Sequence, residues 1–153
     1  MVPVSVTLIS LGCPGSTTPP PDDGEEIIFP ANFRDSFTLV RDCRNSIEHG
    51  ATIRVWVNAI GAAGYLEDAA TLPEGTIVVK EEFAAADCDD EADLTSWNVM
   101  RKEPAGFDPA LNDWRFQEVE APSQRILFND GASCRDCHTV TECVLRDLMC
   151  TLP

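Results

Sequence analysis

Basic residues are scarce. The 153 residues include 11 Lys plus Arg against 26 Asp plus Glu, a formal charge of −15 at pH 7. Phosphate backbones repel such a polyanion, which excludes nucleic acid as a partner. A redox partner with a basic surface would instead be steered toward it, unless the acidity serves solubility alone. Long apolar runs are lacking as well: Val2 to Leu11 is broken by serine, threonine and proline and is too short to cross a bilayer as a helix. No phosphate-cradling glycine loop, nucleophile elbow or paired-histidine protease motif occurs, so phosphoryl transfer and hydrolysis are set aside. Histidine appears only as His49 and His138.

Cysteine is better represented, and it meets histidine at one place. In Cys134-Arg135-Asp136-Cys137-His138 the two thiols have the spacing to form thioether bonds to the vinyl groups of a c-type haem. The next residue, His138, can then reach the iron as proximal ligand. Composition alone would produce this pattern in about 0.4% of such chains. Zinc would need a second ligand pair at matching spacing, and Cys43, Cys88, Cys143 and Cys150 form no second C-x-x-C. A structural thiol pair beside a histidine is the remaining alternative. A chain of 153 residues has room for one core, hence one haem.

Residues 1–13 read as an export segment. Gly12-Cys13 resembles the end of a lipoprotein signal, in which the cysteine becomes lipidated, although Ser10 stands where leucine is usual and no basic residue precedes the apolar run. A plain secretory signal or an unprocessed tail are the alternatives. Export would place the domain in the periplasm, or at the outer membrane through a lipid on Cys13, where disulfides persist. The four cysteines outside the haem motif and Cys13 are an even remainder with three connectivities. Cys43–Cys88 with Cys143–Cys150 is preferred, because the second pair closes a short loop after the haem motif. Residues 14–26, PGSTTPPPDDGEE, form a flexible Pro-rich acidic linker. The haem domain spans 27–153.

Phe33, Phe37, Val40 and Ile47 fall at helical spacing and Gly50 stops the run, which predicts a first helix over Pro30 to His49. Ile53, Val55 and Val57 alternate with Arg54, Trp56 and Asn58 as a strand. Alanine-rich Ala59 to Leu72 predicts a short helix before the Pro73-Glu74-Gly75 turn. Thr76 to Phe83 is a further strand with Thr76, Val78 and Lys80 on one face and Ile77, Val79 and Glu81 on the other. Ala84 to Asp93 is an acidic loop that lacks the glycine and spacing of a calcium loop. Ser96 to Lys102 and Asp113 to Val119 complete the strands. The expected fold is α+β, a mainly antiparallel sheet of about four strands with a few helices and a covalently bound c-type haem.

Four segments in order, PANFRD, PEGTIVVKE, MRKEPAGFDPALNDWRF and CRDCH, resemble the cytochrome P460 and cytochrome c-prime-beta family of small periplasmic haem proteins. The resemblance implies a mainly antiparallel fold with one c-type haem, usually a homodimer. It also implies that a strand lysine, here Lys80, is bonded to the haem ring in the family's hydroxylamine-oxidising enzymes, whereas relatives without that bond bind nitric oxide or carbon monoxide. The family's distal proton-transferring carboxylate falls at Asn98, which can hydrogen-bond but cannot take a proton near neutral pH. Glu81, Glu82 and Glu103 are candidates to replace it.

Other roles stay open on the residues themselves. A buried Lys80 needs a carboxylate, a propionate or covalent chemistry, while at a sheet edge it would need only water. Met100 and His49 are candidate distal iron ligands, with core packing and helix-end capping as their ordinary roles. One functional reading is an exported mono-haem c-type cytochrome with an open site that binds or redox-converts small nitrogen ligands such as nitric oxide and hydroxylamine, as an oxidoreductase if it turns them over. The alternative is an electron-transfer cytochrome with a closed six-coordinate haem. A haem-free structural or metal-binding domain is the third.

Overall fold

Strands rich in β-branched residues must find hydrogen-bonding partners, and here each takes its neighbour in the chain. The structure is a computed structural model that describes residues 26–129 and 131–150. Six strands, β1 (Thr38–Ser46), β2 (Ala51–Val57), β3 (Ile77–Phe83), β4 (Leu94–Lys102), β5 (Trp114–Glu120) and β6 (Ile126–Phe128), form one sheet in chain order. Every pairing is antiparallel. Short helices α1 (Ala62–Leu66), α2 (Ala132–His138) and α3 (Thr141–Val144) complete the α+β fold.

The helix expected over Pro30 to His49 is not formed. Phe33–Asp35 makes a single 3-10 turn, and Thr38–Ser46 is the edge strand β1. The apolar residues that fell at helical spacing do not share a face. Phe33 and Phe37 join one core cluster, Val40 joins the other, and Ile47 is exposed. A helix would bury only part of this set, whereas a strand adds a ladder of hydrogen bonds to β2. Cys43 therefore lies on β1 rather than on a helix, and its disulfide to Cys88 ties that edge to the acidic loop. The very short β6 carries too few residues for a period to be read.

Residues paired across a sheet point to the same side. The register aligns Val55, Lys80, Asn98 and Glu118 in one row. Their face, the inner face, packs Ile53, Val55, Val57, Val78, Met100, Trp114 and Phe116 against α1 and the C-terminal segment. The outer face packs Val79, Phe83, Trp97, Val99 and Val119 under the N-terminal Ile28, Phe29 and Phe33. Phe29 stacks on Trp97 at 4.6 Å, and Phe33 meets Trp56 edge-on.

Glu81, fully buried, belongs to this outer face. Its carboxylate accepts from the Arg34 guanidinium and, at 2.8 Å, from Trp56 Nε1. A buried carboxylate that loses its cation is left uncompensated in low dielectric. Arg34→Met is therefore expected to cost about 3 kcal/mol in urea unfolding. By contrast Arg125→Met, which breaks an exposed pair with Glu120, should cost less than about 1 kcal/mol. Equal costs for the two variants would rule this account out.

Candidate functional site

Helix α2 begins at Gly131 and carries Cys134, Cys137 and His138 at i, i+3 and i+4, so the three share one helical face. A side chain at position 131 would run into Leu111, so only glycine lets the helix start this close to the sheet. Cys134 packs against the inner-face core, and the His138 ring meets Phe116 edge-on at 5.3 Å. Both disulfides, Cys43–Cys88 and Cys143–Cys150, are formed, and Cys134 and Cys137 belong to neither.

The orientation of His138 is set from behind. Its Nδ1 lies 2.8 Å from the Leu148 carbonyl, so Nδ1–H donates there and the Nε2 lone pair is left for a metal. Burial favours the uncharged ring and holds its pKa down at about 4. Leu148 and Asp147 both have positive φ, at 68° and 56°, a conformation that costs about 1–2 kcal/mol per non-glycine residue. Asp147 is 1% exposed. Its carboxylate accepts from Lys102 Nζ at 2.7 and 2.8 Å, the Leu72 amide at 2.9 Å and Asn112 Nδ2 at 3.1 Å. Those bonds hold the turn in the shape that presents the Leu148 carbonyl.

Facing α2, the inner sheet face carries a charged cluster. Lys80 Nζ lies 2.6 and 2.7 Å from the ring nitrogens of His49 and 3.1 Å from Glu82 Oε1, and His49 Nδ1 lies 2.8 Å from the same oxygen. Glu82 Oε1 itself has no hydrogen-bond partner, so these three side chains meet as close charge contacts. Burial pushes the Lys80 ammonium down, against the pull of Glu82, and Cys134 is among its electrostatic neighbours. Burial also favours a neutral Glu82, but His49 and Lys80 together outweigh it and hold its pKa at about 2. Glu118 is raised, first by burial and then by the Glu82 charge. Two carboxylates with opposite shifts thus share one patch, one held ionised and the other favouring its proton.

The register places Lys80, Asn98 and Met100 together on the inner face. His49 closes the turn between β1 and β2 and reaches Lys80 rather than capping a helix. Met100 sits between Val78 and Phe116, buried in the core. Glu81 lies on the outer face, away from the cluster, because odd and even strand positions point oppositely. Glu103 lies past the end of β4 and pairs with Arg101 and Arg115. Cys13 and residues 1–25 lie outside the described residues. Glu118, Asp147 and the Leu148 carbonyl were not singled out by the sequence. The alternation Trp114, Phe116, Glu118 did carry a signal for the first of these, a carboxylate at an inward position.

Because the pKa of Glu82 is depressed on folding, its stabilisation is present above the ordinary carboxylate range and is lost as pH falls from 4.5 to about 2. The shift is worth on the order of 3 kcal/mol. Glu82→Gln should be less stable than wild type by that order at pH 7, and the gap should close toward pH 2, as read by urea unfolding across pH. Glu118→Gln should show the opposite sign, losing less stability than wild type as pH rises. Parallel pH profiles for wild type and Glu82→Gln would contradict this assignment.

The donor set suits a haem. Two thiols and a neutral imidazole with an available Nε2 share a helix face, and polar atoms on the opposing sheet face, Asn98 Nδ2 with Arg41 Nε and Nη2, are buried without partners. Comparison with curated proteins finds no match. Residues 30–148, most of the chain, match the model of a family described as Cytochrome P460. The chain belongs to the cytochrome P460 family, and that membership implies a haem cofactor.

Proposed function

We propose that this protein is an exported c-type cytochrome that carries one haem bonded to Cys134 and Cys137, has His138 as proximal ligand, and binds or redox-converts small nitrogen ligands such as nitric oxide or hydroxylamine. The observation that carries the reading is the facing arrangement of α2, with its two thiols and oriented His138, and an inner sheet face that carries the buried Glu82 and the half-buried Lys80, Asn98 and Glu118. The haem supplies an iron that binds such a ligand and exchanges electrons with it.

The protein's own groups handle charge and protons around it. Glu118, whose carboxyl is shifted upward by burial and then by the Glu82 charge, is the inner-face carboxyl placed to exchange a proton with the site. This answers the absence of a carboxylate at Asn98, whose amide donates and accepts hydrogen bonds only. Glu82 stays ionised, and burial pushes the Lys80 amine toward its neutral, nucleophilic form against the opposing pull of Glu82 and Cys134. That environment supports a place for Lys80 at the ring, either packed or bonded.

An electron carrier with a closed iron has less support. Met100 is packed into the core and His49 is engaged with Lys80 and Glu82, so neither stands ready as a sixth ligand. The two disulfides support an oxidising compartment, the periplasm or the outer membrane through a lipid on Cys13. The charge of −15 supports a redox partner with a basic surface, and a homodimer is the assembly we expect.

The test is the absorption spectrum of protein matured with the c-type haem machinery, ferric and ferrous, with and without nitric oxide, alongside its intact mass. A mass equal to chain plus haem and a spectrum that responds to nitric oxide are expected. A strongly red-shifted ferrous Soret band that disappears in Lys80→Ala would identify a ring bond to Lys80, and an ordinary c-type spectrum would remove that bond. No response to nitric oxide would overturn the open site in favour of the electron carrier.

A further inference from the structure

Among the described residues, Arg41 is a cation without an anion. It lies on β1 opposite Val55, where the register shifts on either side of it, so it shares the inner face with the row of Val55, Lys80, Asn98 and Glu118. The residue is 8% exposed, and its Nε and Nη2 are both buried without a hydrogen-bond partner. The groups that act on it electrostatically are Tyr65, Arg44 and Arg146, two of them cations that repel it. The acids nearest in sequence or packing are engaged elsewhere: Asp42 takes Arg54, and Asp68 takes Arg146.

That combination is unusual in a chain with 26 acidic residues against 11 basic ones. Arginine keeps its proton in proteins, so it cannot relieve burial by becoming neutral. A buried guanidinium with no counter-charge is strongly destabilising, and the counter-charge is usually a side chain. Among the described residues no side chain supplies one. The two orphaned nitrogens also form a pair. Nε–H and Nη2–H point the same way along one edge of the guanidinium, the fork that takes both oxygens of a carboxylate or another planar oxyanion.

We propose that Arg41 is an oxyanion-binding group of the inner face whose occupant is a propionate carboxylate of the haem. The assignment rests on the haem reading above. It gives the unpaired cation a partner of the right charge and geometry, and it gives one end of the cofactor a fixed point on β1, at the far side of the row from Glu118. Asn98 Nδ2, also buried without a partner on that face, marks the same face as one that awaits a polar occupant.

The experiment uses matured, haem-loaded protein as wild type, Arg41→Met and Arg41→Lys. Loading is read by intact mass and Soret absorption, propionate hydrogen bonding by the propionate bending band in resonance Raman spectra, and local charge by the reduction potential. Arg41→Met should shift the Raman band and lower the potential, because loss of a cation beside the propionate favours the ferric state. Arg41→Lys keeps the charge without the fork, so it should shift the band while largely preserving the potential. It also carries the test alone if Arg41→Met fails to fold. Added inorganic phosphate should leave the wild-type potential unchanged. A loaded Arg41→Met protein with band and potential unaltered would overturn the assignment. A wild-type potential that moves with phosphate, and does so only when Arg41 is present, would replace the propionate with a free oxyanion. Wild-type protein that emerges haem-free would instead strike at the haem reading itself, and the assignment would go with it.

Discussion

One buried carboxylate, Asp147, joins the parts of the molecule that the site requires. It takes Lys102 from β4, Asn112 from the turn before β5 and the Leu72 amide from the segment after α1. Lys102 is also covered by the Trp114 ring at 5.0 Å. The backbone beside that carboxylate turns through two left-handed residues to aim the Leu148 carbonyl at His138. Residues 145–150 contain no helix or strand, so the ion pair adds a tertiary anchor to the local turn hydrogen bonds of that segment. The Cys143–Cys150 disulfide closes the same segment covalently. The orientation of His138 thus depends on a strand lysine more than thirty residues earlier in the chain.

A second constraint is the placement of charge on a sheet face that is otherwise apolar. Lys80, Glu82 and Glu118 are all largely withdrawn from water, and each has been moved from its ordinary protonation behaviour. Structural ion pairs alone would settle into mutual neutrality, as Arg34 and Glu81 do on the outer face. On the inner face one carboxylate is held ionised, its neighbour favours a proton, and Asn98 Nδ2 and the Arg41 fork remain without partners. Shifted protonation of this kind clusters at functional sites, where burial and neighbouring charge are arranged to produce it.

Much of this was legible in the sequence. The cysteine and histidine spacing pointed to a haem, and period-two alternation put Lys80 with Val78 on one face of its strand and Asn98 with Met100 on one face of theirs, because successive strand residues point oppositely. The error over residues 30–49 has a plain cause. Phe33, Phe37, Val40 and Ile47 satisfy a helical period by count, yet each finds its environment separately, against Trp56, in the inner core, or in water. Periodicity measures whether residues could share a face, and it carries no information about whether a neighbouring strand offers a better partner.

By itself, then, the sequence determined the chemistry available: which residues can bond a haem, which strands alternate, and how strongly acidic the chain is. Those properties reside in residue type and in spacings of a few positions. Tertiary structure alone decided which of Glu81, Glu82, Glu103 and Glu118 face the site, that His49 meets Lys80, that Asp147 aims the Leu148 carbonyl, and that Arg41 has no anion among the described residues. Each of these depends on strand register and on contacts between segments far apart in the chain, where a shift of one residue would move a side chain to the opposite face.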